Sequence, residues 1–95
     1  MPRPRLKRRI GFNPDVTYFK PRGIPLKELE EIELSADGLE ALRLKDFKAL
    51  DQTTAAKEMN ISQSTFHRIL LEARKKVAQS LIEGKAIRIE TNNSD

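Results

Sequence analysis

From Phe66 onward the apolar residues Phe66, Ile69, Leu70, Ala73, Val77 and Leu81 recur three and four positions apart, so they share one stripe of a long helix whose stripe faces a core. Polar residues obey the same period. Ser64, Arg68 and Lys75 fall on the opposite side, His67 and Arg74 lie on one flank, and Gln63 stands at the N-terminal end. Ser62 is a good N-cap for a helix beginning near Gln63, and Gly84 suits the left-handed position that ends it after Glu83.

Residues 52–71, QTTAAKEMNISQSTFHRILL, have the spacing of a helix-turn-helix. Ala56 leaves room where the two helices cross, and Asn60 tolerates a left-handed backbone in the turn better than most residues other than glycine. Met59, Ile61, Phe66 and Ile69 supply the apolar contacts between them, and the first helix starts at Asp51 or Gln52.

Upstream, Ser35 reads as the N-cap of a helix carrying Ala36, Leu39 and Leu42 and running to about Asp46, with Asp37 placed to suit the helix dipole. Phe47 and Leu50 are expected to close over the core. FNPDVTYFKPRGIPL holds Pro14, Pro21, Pro25 and Gly23 and cannot be one continuous helix. Val16, Tyr18 and Phe19 within it are expected to anchor the segment against the helices. Glu31 to Leu34 is either a short strand or the approach to the next helix. KAIRIE, near the C-terminus, alternates as a strand does, with Ile87 and Ile89 on one side and Arg88 and Glu90 on the other. Its partner lies near Tyr18, near Ile32 or in a second chain. The expected organisation is a basic arm over 1–15, a helix-turn-helix domain over 16–90 and a polar tail over 91–95. The fold class is mainly α, with three to four helices, an extended N-terminal arm and a short C-terminal strand.

Charge adds a partner to this picture. The chain carries a net charge of +4 over 95 residues, a balance that favours a polyanion. Arg3, Arg5, Lys7, Arg8 and Arg9 crowd into seven positions behind Pro2 and Pro4, which discourage a helix there. A second cluster, Arg74, Lys75 and Lys76, lies on the long helix, whereas Glu28, Glu30, Glu31 and Glu33 form a solvated acidic stretch elsewhere. A basic arm can also be a solubility tail or a membrane-surface anchor, but this one lacks the apolar face of an interfacial helix.

In a helix-turn-helix the first turns of the second helix reach base edges in the major groove, where Gln pairs with adenine and Arg with guanine. Gln63, Ser64, His67 and Arg68 are therefore the candidate base contacts. Arg3, Arg5, Lys7, Arg8, Arg9, Thr53, Thr65, Arg74 and Lys75 are the candidate phosphate contacts. The alternative for each is an ordinary solvated helix surface.

Only 38% of the residues are hydrophobic, which allows one domain with a modest core and no deep substrate cavity. No apolar run is long enough for a membrane span or a signal peptide, so a soluble cytoplasmic protein without a membrane partner is expected. Cysteine is absent and histidine single, so disulfides, thiolate chemistry and Cys-ligated zinc have no residues to use, and no cofactor is expected.

The run of RPR, FKPRGIPL, EALRL, AAKEMNISQSTFHRIL, EARKKVAQSL and GKAIRIE resembles an uncharacterised family of small prokaryotic predicted DNA-binding proteins. Their helix-turn-helix is similar to region 4 of sigma-70 type sigma factors. The resemblance spans roughly Arg3 to Glu90. It implies a three- or four-helix DNA-binding domain, a transcriptional regulator in function, and no catalysed reaction. Against that family's pattern Gln63 replaces Arg, shifting the expected preference from guanine toward adenine. Asn60 replaces Gly, and Gly38 stands where Glu would complete a capping box with Ser35, which should weaken that helix start. A cysteine in the basic arm and a Gly-Gly pair after the last strand, present in many relatives, are missing, which puts any redox or metal sensing in doubt here.

Ser64 and His67, three apart on a helix with Glu72 beyond, make a triad-like set but lack an oxyanion hole and a pocket that excludes water, so no enzyme is expected. A protein-interaction module that contacts RNA polymerase or another regulator is the main alternative. Leu71 and Ile82, projecting from the polar side of the long helix, would serve that contact or a homodimer seam. Structured RNA fits a groove-reading helix less well than double-stranded DNA, because the A-form major groove is narrow.

Overall fold

Three side-chain oxygens start the three helices. Ser35 Oγ accepts the N–H of Gly38 at 2.9 Å, Asp51 Oδ1 that of Thr54 at 2.7 Å, and Ser62 Oγ that of Thr65 at 3.1 Å. Each satisfies a donor that the first helical turn leaves unpaired. The computed structural model describes residues 9–90. In order these form strand β1 (Tyr18–Phe19), a 3-10 turn at Leu26–Glu28, strand β2 (Glu31–Leu34) and helix α1 (Ala36–Leu42). A π-helical segment (Arg43–Phe47) then leads to helix α2 (Gln52–Glu58), helix α3 (Gln63–Glu83) and strand β3 (Ala86–Ile89). The domain is mainly α-helical, with a helix-turn-helix-like arrangement of α2 and α3. None of the helices described is long and apolar enough to cross a membrane.

Left-handed residues make the breaks between helices. Asn60 (φ 60°) turns the chain from α2 to α3, and Gly84 (φ 68°) ends α3. Ala49 (φ 61°) does the same work between the π-helical segment and α2, a position the sequence did not announce. In the π turn Lys48 N–H donates to Arg43 O at 2.8 Å, five residues back, so the helix widens there.

The core has two parts. Ala41, Leu44, Ala55, Ala56, Met59, Phe66, Ile69 and Leu70 form one cluster among the three helices. Leu34, Ala73 and Ile89 form a second, where α3 meets the sheet, and Leu42 packs against both. At that second contact α1 comes close to α3: a Cβ added to Gly38 would lie 3.1 Å from that of Ala73. Gly38 thus serves the approach of two helices.

The sheet has the order β1-β3-β2. β3 is antiparallel to β1, with Tyr18 opposite Arg88, and parallel to β2, with Ile32 opposite Ile87 and Leu34 opposite Ile89. Both partner segments considered within the chain are thus used at once. The alternation is that of a half-buried sheet. Ile87 and Ile89 turn to the helices with Leu34, while Arg88 stands opposite Glu33 on the other face.

Three expectations need correction. Leu81 is 75% exposed, and Ser80, one residue earlier, takes the inward place. The stripe stays in phase only as far as the core reaches, and a step of one residue turns a side chain through over a quarter of a turn. Phe47 is 84% exposed and does not cover the core, although Leu50 does pack against it. The wider π turn swings Phe47 away from the face that carries buried Leu44. Val16 and Phe19 are exposed, and Tyr18 is only half-buried, because β1 sits at the outer edge of the sheet with β3 between it and β2. The acidic stretch is solvated as expected, and in addition Glu31 and Glu33 meet Arg88, and Glu30 meets Lys85 at 3.1 Å.

Candidate functional site

The turn between α2 and α3 is tied by its own backbone. Met59 N–H donates to Ala55 O and Ala56 O, Asn60 N–H to Lys57 O, and Ile61 N–H to Ala56 O, so α3 leaves α2 in one fixed direction. Ala56 is buried at the crossing, and Phe66 is fully buried one turn into α3. With Phe66, Ile69 and Leu70 held inward, helical geometry turns Gln63, Ser64, His67 and Arg68 to solvent, and all four are exposed.

These four make a continuous polar surface over the first two turns of α3. Gln63 Nε2 donates to Thr53 Oγ1 at 2.7 Å, joining the start of α3 to the first turn of α2. Ser64 Oγ lies 3.3 Å from Ser62 Oγ. His67 and Arg68 have no hydrogen-bond or ionic partner among the described residues, and neither has Lys75 two turns on. Thr65 is drawn into the cap instead, since Ser62 Oγ donates to its Oγ1 at 2.9 Å.

Arg74 differs from these. Its guanidinium grips Asp46 at two points, 3.0 and 2.6 Å, so it braces α3 against the end of the π-helical segment. The pairing raises the Arg74 pKa and holds the Asp46 carboxyl below its usual range. Lys76 is also engaged, donating to Glu33 O at 3.1 Å. Of the basic cluster on the long helix, Lys75 is therefore the open cation.

Arg3, Arg5, Lys7 and Arg8 lie outside the described residues. Arg9 N–H donates to Met59 O at 3.1 Å, in the turn itself. Gly11 N–H donates to Glu40, and the Arg43 guanidinium lies 5.7 Å from the centre of the Phe12 ring, so residues 9–12 lie along α1 beside the α2–α3 turn. Arg9 thus lies next to the turn.

The model of the family described as "Protein of unknown function DUF134" matches residues 1–94. The chain belongs to this family. Among curated DUF134 relatives, a UPF0251 protein of Moorella thermoacetica is 56% identical over 90 residues, covering 95% of this chain and 60% of its own length. One of Dehalococcoides mccartyi is 58% identical over 90 residues, covering 95% of this chain and 77% of its own. A third, of Desulforudis audaxviator, is 55% identical over 93 residues, covering 98% and 61%. The chain therefore spans about three fifths of the first and third of these relatives. No solved structure matches it.

Two side chains of this DUF134 domain that matter to the site were not singled out from sequence. Glu40 is buried, accepts from Gly11 N–H and binds Arg43 through both carboxylate oxygens, at 2.8 Å each. Asp46 supplies the partner of Arg74. A Glu three residues before an Arg on an amphipathic helix was a legible hint of the Glu40–Arg43 pair. Nothing local marked Asp46, whose partner is 28 residues away.

Proposed function

We propose that this chain binds duplex DNA sequence-specifically and regulates transcription in the cytoplasm, with the first turns of α3 in the major groove. The observation that carries this reading is the exposed surface of Gln63, Ser64, His67 and Arg68 on a helix whose direction is fixed by the tied turn after α2. Their types supply donors and acceptors that match base edges. Thr53, bonded to Gln63, Lys75 farther along α3 and Arg9, whose N–H bonds the turn at Met59, suit phosphate oxygens. The net charge of +4 favours the same partner. No chemical step is part of this reading.

A titration of labelled random duplexes tests it. Binding should appear at ~50 mM salt and weaken steeply as salt rises, because each displaced counterion must return to the duplex. Failure to bind any duplex pool at that salt would sink the reading.

The exposed Leu71, Leu81 and Ile82 favour a second one, a protein contact with RNA polymerase, another regulator or a second copy. Such an apolar contact barely responds to salt, which separates the two.

A further inference from the structure

Gln63 and Thr53 are ten residues apart and belong to different helices, yet they share a hydrogen bond of 2.7 Å on the exposed side of the turn. Both ends are anchored. Thr53 sits in the first turn of α2, where Asp51 Oδ1 caps the neighbouring Thr54 N–H. As a β-branched residue on a helix it has few rotamers. Gln63 is the first residue of α3, directly after the Ser62 cap. A free glutamine on a helix surface samples many rotamers and presents its amide in either sense. Here the Nε2 end is turned to Thr53.

We propose that Thr53 is the positioning residue that makes Gln63 an adenine reader, an inference that rests on the DNA-binding reading above. Gln63 Nε2 carries two protons, and the bond to Thr53 uses one. The second proton remains for adenine N7, and Oε1 remains to accept from the adenine N6 amino group, the two-point pattern that selects adenine in the major groove. Guanine presents an acceptor where adenine presents that amino group, so Oε1 fixed in this sense meets O6 without a proton between them. Thr53 Oγ1, having accepted from Gln63, keeps its own proton for a phosphate oxygen. One hydroxyl thereby links the backbone contact that sets register to the side chain that reads the base. Because Gln63 is held before binding, less rotamer freedom is lost when it meets the base.

The test uses the full chain and the duplex recovered by selection from a random pool, with all four base pairs substituted in turn at each position. Wild type, Gln63→Ala, Thr53→Val, Thr53→Ser and the double variant Thr53→Val/Gln63→Ala are compared by anisotropy titration at several salt concentrations. Gln63→Ala should abolish a preference for adenine of roughly 5- to 150-fold at one position. Thr53→Val should reduce that same preference roughly 2- to 10-fold, Thr53→Ser should keep it, and the double variant should be no worse in preference than Gln63→Ala alone. The salt slope should stay constant, since a neutral hydroxyl releases no counterion. A Thr53→Val protein with the full adenine preference overturns the positioning role and leaves DNA binding standing. So does a Gln63→Ala protein with unchanged preferences. Absence of duplex binding by wild type overturns this inference together with the reading beneath it.

Discussion

Glu40 Oε2 accepts the backbone N–H of Gly11 at 2.9 Å, which ties the root of the N-terminal arm to the buried side of α1. The same carboxylate holds Arg43, and its side chain is 2% exposed against 22% for Arg43. Replacing Glu40 by Ala removes the bond to Gly11 and both bonds to Arg43, and leaves a cation with only partial access to water. The expected loss of stability is about 2–3 kcal/mol, less than for a fully buried pair because Arg43 can turn outward. Chemical denaturation measures it. Proteolysis near residues 9–12 should also accelerate, and a variant as stable and as protease-resistant as wild type would show that the clamp contributes nothing.

Ala49, at φ 61°, pays the steric penalty of a Cβ in the left-handed region. Ala49→Gly should raise stability by about 0.5–1 kcal/mol, the relief of strain exceeding the added freedom of the unfolded chain. Asn60→Gly should gain less, since asparagine tolerates this conformation. Equal gains at the two sites would argue against strain as the cause.

Ser80 Oγ is buried on the inward face of α3 with no hydrogen-bond partner among the described residues. Ser80→Ala should leave stability unchanged or raise it by up to about 1 kcal/mol, because the hydroxyl is desolvated for no return. Thermal unfolding decides this, and a clear fall in the midpoint would mean that the hydroxyl is bonded.

Asp51 and Asp46 have carboxyl groups held below their ordinary value of 3.8, the first by the N–H of Thr54 and the second by Arg74. A group whose folded pKa is lowered stabilises fully above its unfolded value and loses that contribution as pH falls through the folded one. The contribution of these two carboxyls should therefore be level above about pH 5 and decline below about pH 4. Asp51→Asn keeps an N-cap acceptor that does not titrate, so it should flatten the acid limb without abolishing α2. An unaltered acid limb in that variant would exclude Asp51 as a contributor.

Arg68 is exposed without a partner among the described residues, which suits a base contact. On the proposed DNA-binding reading, Arg68→Ala should cost ~1–3 kcal/mol on a preferred duplex and less on random DNA. An equal loss on both would assign Arg68 to phosphate. Deleting residues 2–8, which carry Arg3, Arg5, Lys7 and Arg8, should instead reduce the salt slope by up to ~3–4 units while the ranking of sites survives.

The sequence by itself determined whatever depends on near neighbours. The Ser35, Asp51 and Ser62 caps, the left-handed Asn60 and Gly84, and the apolar period of α3 from Phe66 to Ala73 all depend on residues within a few positions, and each stands in the structure as its local chemistry requires. For the same reason the exposure of Gln63, Ser64, His67 and Arg68 was legible, since a helix that buries Phe66 and Ile69 must turn them outward. Only the tertiary structure decided contacts between distant segments. The seating of β3 between β1 and β2, the Asp46–Arg74 and Gly11–Glu40 bonds, and the link between Thr53 and Gln63 join positions whose local sequence carries no sign of one another. Leu81 and Phe47 show the boundary between the two kinds of information. Both fit a local apolar pattern, but burial needs a surface to cover them, and the extent of the core is a property of the whole fold.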